Sequence, residues 1–342
     1  MSPNLITPPD HDPLDLYRLR DGIMAADLLA AALVWLDFYT SLAQEPGDLA
    51  AICGRLAIHP RPTDVLLTMS KAMGLVAERD GVFYVTEKAR EFAVAGSPFN
   101  VAPYYAAMKD RPATKDMLKV LQTGKPANWG SYDAQAWAQA MERPEFAAQF
   151  TAAMDCRGLY LGQKLAAAVD LAGRTALLDI AGGSGIYACA FVARQPHLRA
   201  TVFEKPPVDR IAREAIEKQG CSGRVAVVAG DLFQEELPTG FDVHLLSNVL
   251  HDWDRPVVRD ILARSHRALE SGGLLIVHDG HLDDDKSGPL GVAIYSALLM
   301  NITEGRCYSR AEMRAFFDET GFEWHDSGPT AMDRSYIVAR KK

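Results

Sequence analysis

The 342-residue chain is 48% hydrophobic and 23% charged, with 26 Gly, 19 Pro and five cysteines, which excludes a disordered, collagenous or disulfide-stapled polypeptide and supplies one large or two ordinary domains. A formal charge of −8, from 36 Lys plus Arg against 44 Asp plus Glu, weighs against coating nucleic acid or anionic membrane and favours a neutral or cationic small molecule as partner. Cys53, Cys156, Cys189, Cys221 and Cys307 are odd in number and never form a CxxC pair, so they read as reduced thiols in the cytoplasm, with no structural metal site.

The first residues, MSPNLITPPDHDP, lack the basic start and apolar core of a signal peptide. From Leu14 to Leu42, apolar positions such as Ile23, Leu29, Leu33 and Leu36 recur at helical spacing and predict a buried helix. Asp27 and Asp37 inside its most apolar part argue against a membrane span. Next come a helix (DLAAICGRLA), a Pro-bearing turn (HPRP), a second helix (DVLLTMSKAMG) and a hairpin turning at Asp80-Gly81, a helix-turn-helix with a wing. Residues 46–92 carry six Lys/Arg against six Asp/Glu, so no basic stripe awaits DNA phosphates. A structural or dimerising module is the better reading. From about Asn100 to Val169 the chain is helical and rich in Met and aromatics, among them Tyr104, Trp129 and Met154, residues that build cores and also line pockets for flat ligands.

From Arg174 short apolar runs alternate with amphipathic helices. TALLDIAG, RATVFEK, RVAVVAGD, DVHLLSN and GLLIVHD read as strands buried on both faces of a parallel α/β sheet. A helix from Ser309 to Gly321, with a capping box at Ser309 and Glu312, precedes an antiparallel strand pair, GFEWHDSG and SYIVARK. The first strand runs through Asp179 and Ala181 into Gly182, Gly183, Ser184 and Gly185 and then a helix, a turn at which backbone N–H groups face a ligand. Gly183-x-Gly185-x-x-Ala188 also satisfies a dinucleotide fingerprint, with Glu204 after the second strand placed for ribose hydroxyls. Gly230, Asp231, Leu232 and Phe233 follow the third strand. The fourth runs from Ser247 into His251-Asp252-Trp253. All of these fall at carboxyl ends of parallel strands, where open α/β sheets bind their ligands.

Asp179 through Gly185, Glu204, Gly230-Asp231 and above all Leu250-His251-Asp252-Trp253 followed by Gly272-Gly273 resemble a class I S-adenosyl-methionine-dependent methyltransferase, of the small-molecule O-methyltransferase type that includes caffeic acid and acetylserotonin enzymes and bacterial natural-product relatives. The resemblance spans nearly the whole chain. It implies a Rossmann-like sheet over residues 171–342, preceded by a mostly helical, winged-helix-like dimerisation and substrate-covering domain over 1–170. It also implies a homodimer acting on a small molecule rather than on nucleic acid or membrane.

By position, the resemblance gives S-adenosyl-methionine to Asp179, Ala181, Gly182, Gly183 and Gly185 (methionine part), Glu204 (ribose), and Gly230, Asp231, Leu232 and Phe233 (adenine end), with Ser247 and Met154 beside it. Met154 also touches the acceptor, for which Trp129, Cys307 and Tyr104 are further wall positions. His251 falls on the base, with Asp252 beside it and Asp279 as an orienting acid. Three departures stand out: Ala181 replaces a frequent glycine, Ser247 a plant lysine, and Cys307 the second orienting acid, for which Glu304 is a nearby substitute. The implied reaction is O-methylation of an aromatic or polycyclic hydroxyl. Alternatives are C- or N-methylation, with His251 and Asp252 sharing a metal, and a relative that keeps the cofactor without methylating.

Overall fold

The computed structural model describes residues 4–127, 139–140 and 142–342. The chain forms two compact units, Asp15–Trp129 with His281–Ala311, and Met1–Leu14 with Gly130–Gly280 and Glu312–Lys342. A single boundary near residue 170 does not describe this division. The helix Pro144–Ala168 belongs to the second unit because it packs on the helix Ile186–Arg194. Residues 281–311 belong to the first because the helix Leu290–Ile302 is apolar on almost every side and buries Ala297 and Met300 in that unit's core.

In the helical unit the expected long first helix is broken into Leu14–Asp21, Ala25–Ala30, a π-helical turn Ala31–Trp35 and Phe38–Gln44. Asp37, at φ +44°, is left-handed and breaks the run before Phe38. Only the later part is buried, around Leu28, Phe38 and Tyr39, whereas Leu16 is 72% and Leu19 79% exposed. No single described helix is long and apolar enough to cross a membrane; the bent pair Ala25–Trp35 and Phe38–Gln44 has the length and composition but buries Leu28, Ala31, Ala32, Phe38 and Tyr39 in this core.

The helix Leu49–Leu56 is capped by Asp48, whose carboxylate accepts the Ala51 N–H at 2.8 Å. The HPRP stretch is not a separate turn. His59 is the N-cap and Pro60 opens the helix Pro60–Ala72, because a proline lacks only an N–H that the first turn leaves unused. Strands β1 (Val76–Arg79) and β2 (Val82–Val85) form the wing, closed by Asp80 and Gly81 at positive φ, as a two-residue hairpin requires. The guanidinium of buried Arg61 donates to the carbonyls of Gly124, Thr303 and Gly305, tying the two sequence segments of this unit together.

The other unit is built on a seven-stranded sheet of β3 (Ala176–Ile180), β4 (Arg199–Glu204), β5 (Val225–Ala229), β6 (Phe241–Ser247), β7 (Leu269–Asp279), β8 (Phe322–Pro329) and β9 (Ser335–Lys341), in the order β5-β4-β3-β6-β7-β9-β8. β3 to β7 are parallel and β8 and β9 antiparallel. The order reverses between β3 and β6, which opens a crevice at their carboxyl ends. Leu177, Leu178, Val202, Val243, Leu245, Leu275 and Ile276 are fully buried, as strands covered on both faces should be. β5 departs from the expectation of burial on both faces. It is the end strand, and Val228 is 40% exposed.

Two glycines let the Pro144–Ala168 helix approach its neighbour. A Cβ at Gly158 would lie 2.4 Å from Ile186 Cγ2, and one at Gly162 3.3 Å from Ala190 Cβ. Gly158→Val should therefore lower stability by about 1–3 kcal/mol through overpacking, read as a lower denaturant midpoint at unchanged slope. Ala181 holds φ +52°, a region that strains an L side chain. Ala181→Gly should raise stability by about 0.5–1 kcal/mol in the same assay, strain relief exceeding the added unfolded-chain entropy.

Candidate active site

β3 delivers Asp179 and Ile180 into the turn Ala181 to Gly185, which caps the helix Ile186–Arg194. Gly183 and Gly185 are both at positive φ. Gly182 is required by space: a Cβ there would stand 2.6 Å from the Asp179 carboxyl carbon. The carboxyl group thus lies against bare backbone. Burial, with help from the charge of Glu204, pushes Asp179 up to about 7 against the pull of the Ala188 N–H. Its Oδ2 and the hydroxyl of Ser184 are buried with no hydrogen-bond partner among the described residues, an arrangement that costs free energy until a ligand supplies one.

Glu204, at the end of β4, accepts the N–H groups of Gly183 and Lys205, each at 2.9 Å, and its pKa is raised by burial. It therefore braces the glycine turn from the neighbouring strand. Gly230 donates its N–H to the Glu204 carbonyl, and a Cβ on it would strike the Phe203 ring at 2.4 Å. Asp231 accepts the Phe233 N–H at 2.8 Å, Leu232 is buried, and Phe233 meets Trp253 edge-on at 4.8 Å. A carboxyl group poised near neutrality, an unpartnered hydroxyl, open glycine backbone and an apolar wall fit a ligand with a cationic end and a flat ring, as S-adenosyl-methionine has.

The parallel pairing of β6 with β7 sets Ser247 opposite His278, so the chain leaving β6 passes beside Asp279. His251, 4% exposed, places Nδ1 2.5 Å from Asp279 Oδ1, which also accepts the Gly280 N–H at 2.7 Å. A carboxylate only accepts, so the imidazole proton sits on Nδ1 and neutral His251 keeps a lone pair on Nε2. That nitrogen stands 3.5 Å from Asp252 Oδ1. Burial and the charge of Asp279 raise the Asp252 pKa, against the charges of His251 and Arg157. The ring is bracketed by two carboxyl groups. A buried histidine on the same sheet makes the contrast: His244 pairs with Ser265 at 2.9 Å and burial pushes it down to about 3, a neutral packing residue.

Two features beside the site carry no motif. Ser247 joins a polar chain in which its hydroxyl meets His278 Nδ1 at 3.0 Å, His278 Nε2 meets Thr330 Oγ1 at 2.9 Å, and Asn248 donates to the Tyr187 hydroxyl at 3.1 Å. Burial is the main cause that raises the Tyr187 pKa, opposed by the charge of Arg157. Arg157 is therefore the cation whose field reaches both Tyr187 and Asp252. Ser247, in place of lysine, was the only signal of this network.

The acceptor-side expectations are more scattered. Met154 lies on the Pro144–Ala168 helix with its side chain outside the described residues, as is Trp129. Tyr104 is 84% exposed and stacks edge-on against Tyr105. Cys307 is 1% exposed among Leu282, Val292, Tyr295 and Leu299, and its N–H donates to Ser296. Glu304 is half-buried in the same unit. Among the described residues no group of three or more metal-ligating side chains gathers.

Residues 116–323 match the model of the O-methyltransferase domain family. A 3-hydroxy-5-methyl-1-naphthoate 3-O-methyltransferase of Streptomyces sahachiroi is 33% identical over 92% of this chain and 91% of its own. Acetylserotonin O-methyltransferase of Bos taurus is 30% identical over 95% and 97%. The crystal structure of an O-methyltransferase family 2 protein from Planctomyces limnophilus, complexed with apigenin, superposes with a TM-score of 0.88 at 31% identity, covering 99% of both chains. Other matched structures hold S-adenosyl-methionine or S-adenosyl-homocysteine. With its glycine turn, strand-end acids and histidine, the chain belongs to the O-methyltransferase domain family and is an S-adenosyl-methionine-dependent methyltransferase.

Proposed function

We propose that the enzyme methylates a hydroxyl of an aromatic or polycyclic small molecule, with His251 as general base. The observation that carries this reading is the Asp279–His251 pair at 2.5 Å, which engages Nδ1 and makes Nε2 the nitrogen that takes a proton. The relatives' aromatic acceptors, a hydroxynaphthoate and acetylserotonin by name, support the acceptor class.

S-adenosyl-methionine supplies an activated methyl group on a sulfonium. Asp179, Ala181, Gly182, Gly183 and Gly185 hold its methionine part, Glu204 its ribose, and Gly230, Asp231, Leu232 and Phe233 its adenine end, with Ser247 and Met154 alongside. His251 Nε2 receives the acceptor proton, and Asp279 holds the ring in the tautomer that makes this possible. Asp252 faces the same nitrogen at 3.5 Å, so it favours the imidazolium that forms. This carboxylate takes the part that Cys307, buried in an apolar cluster, does not.

The winged-helix segment serves dimerisation and, with Met154, Trp129 and Tyr104, covers the acceptor. Exposed Leu16 and Leu19 on the helix Leu14–Asp21, with Ile23 in the turn after it, offer an apolar surface for a second copy. Five free cysteines suit the reducing cytoplasm.

His251→Ala should lower kcat at least about tenfold, and by up to the roughly 10²–10⁴-fold that a positioned base contributes, while cofactor Kd stays within about threefold. Product NMR should place the new methyl on oxygen. Full activity of the variant removes the base assignment; a methyl on carbon or nitrogen overturns the reaction type. Asp179 provides a pH test. With its pKa near 7, it is ionised only as pH rises through neutrality, and its contribution to apo-protein stability is lost over the same rise from about 4, the ordinary carboxylate value. Affinity for the cationic cofactor should therefore tighten between pH 6 and 8 in calorimetric titration, and Asp179→Asn should flatten that dependence.

A further inference from the structure

We propose that the Asn248 carboxamide and the Tyr187 hydroxyl form a positioning pin for the cofactor, fixing the glycine turn against the carboxyl end of β6. Tyr187 is the second residue of the helix Ile186–Arg194, which Gly185 caps. Asn248 is the first residue beyond β6, and its N–H bonds the His278 carbonyl at 2.9 Å. Its Nδ2 donates to the Tyr187 hydroxyl and to Ser247 Oγ, each at 3.1 Å. The contact thus joins the helix that leaves the glycine turn to the strand end that leads to His251.

Tyr187 is enclosed on its other sides. It is buried, and its ring centre lies 5.6 Å from that of His278. A Cβ at Gly158 would stand 3.6 Å from Tyr187 Cε2, and one at Gly162 3.5 Å from its Cα, so the helix Pro144–Ala168 closes on the same residue. The hydroxyl is the only polar atom of that side chain, and Asn248 holds it. Glu204 already braces the turn at Gly183. The pin braces it just beyond Gly185, so breaking the pin frees that end of the turn.

Asparagine suits the position on two counts. Asn248 sits at φ +55°, a left-handed conformation that asparagine tolerates better than most L residues, and its amide nitrogen carries two hydrogens, one for each hydroxyl. With Ser247 accepting from Asn248, the serine proton goes to His278 Nδ1 at 3.0 Å, and His278 Nε2 donates to Thr330 Oγ1 at 2.9 Å. One carboxamide thereby directs a hydrogen-bond chain across β6, β7 and the residue after β8. The arrangement is unfavourable in two respects: the backbone is left-handed, and Asn248 Oδ1 is buried with no hydrogen-bond partner among the described residues. A position shaped for stability alone avoids both, whereas a binding turn held ready for its ligand gives a reason to keep them. The inference rests on the assignment of the cofactor's methionine part to the turn that begins at Asp179.

The test is calorimetric titration of the full-length protein with S-adenosyl-homocysteine, well below the unfolding transition and at a pH above the Asp179 value of about 7. Asn248→Gly keeps the left-handed backbone and removes the carboxamide; Tyr187→Phe keeps the ring and removes the hydroxyl. Each should weaken Kd at least about fivefold through lost preorganisation. The double variant should bind no more weakly than the weaker single variant, because both break the same contact. A contact with a purely structural role lowers the denaturant midpoint and leaves Kd unchanged. Parent-like Kd in either single variant overturns the pin, and additive losses overturn its route through Tyr187. Asp179→Asn, which alters the turn directly, separates the pin from the cofactor assignment. If it too binds like the parent, the assignment falls and the pin with it; if it alone loses affinity, only the pin falls.

Discussion

The register of β6 against β7 is the constraint on which the chemistry depends. Ser247 pairs with His278 and the Asn248 N–H bonds the His278 carbonyl at 2.9 Å, so the chain leaving β6 meets the last residue of β7. A slip of one residue would turn Asp279 to the other face of the strand and leave His251 Nδ1 without an acceptor. The antiparallel pairing of Asp279 with Ser335 on β9 holds the far side of that strand. His278 adds a side-chain lock, joined to Ser247 on one side and Thr330 on the other. His251 is thus oriented by a sheet, not by a loop.

The cofactor half rests on a second constraint, the packing that brings β3 and β4 side by side. Glu204 ends β4 and reaches Gly183 across the strand gap, while Gly230, from β5, reaches back to the Glu204 carbonyl. Glu204 therefore serves the fold before any ligand arrives. Asp179 differs. Its Oδ2 finds no hydrogen-bond partner among the described residues, and burial holds it near neutrality. Such a group is destabilising unless a ligand pairs with it, which marks it more firmly than proximity to a glycine motif does.

Much of this was legible because the relevant signals are local. Glycines, strand-end acids and the His251-Asp252-Trp253 run lie in short segments whose spacing fixes where they fall on a parallel sheet. The hairpin at Asp80-Gly81 and the final strand pair were equally readable, since turn chemistry and alternation are properties of a few neighbouring residues. What failed depended on distant packing. The 14–42 stretch has helical spacing throughout, yet Asp37 takes a left-handed conformation and Leu16 and Leu19 face solvent. β5 has the apolar run of a central strand but sits at an edge. The boundary near 170 followed a change in sequence texture, whereas the Pro144–Ala168 helix follows its glycine contacts with Ile186 and Ala190. The Tyr187–Asn248 and Ser247–His278–Thr330 contacts join residues up to 83 positions apart (330 − 247), and no spacing rule anticipates them.

Cys307 stands where the resemblance implies a second orienting acid. A thiol packed among Leu282, Val292 and Leu299 cannot stabilise an imidazolium, and a carboxylate in that apolar cluster would be costly to ionise. Asp252 is more open to solvent, although burial and the charge of Asp279 still raise its pKa. It follows His251 directly in sequence, its side chain is 40% exposed, and its Oδ1 lies 3.5 Å from Nε2, on the side where the proton arrives. A charge at that distance acts mainly on the protonated state of the ring. It therefore favours proton acceptance without competing for the Nδ1 hydrogen that Asp279 holds. In the proposed mechanism orientation and charge stabilisation are divided between two carboxylates on different elements, and the second is adjacent in sequence to the proposed base, so neither role calls for an acid at position 307.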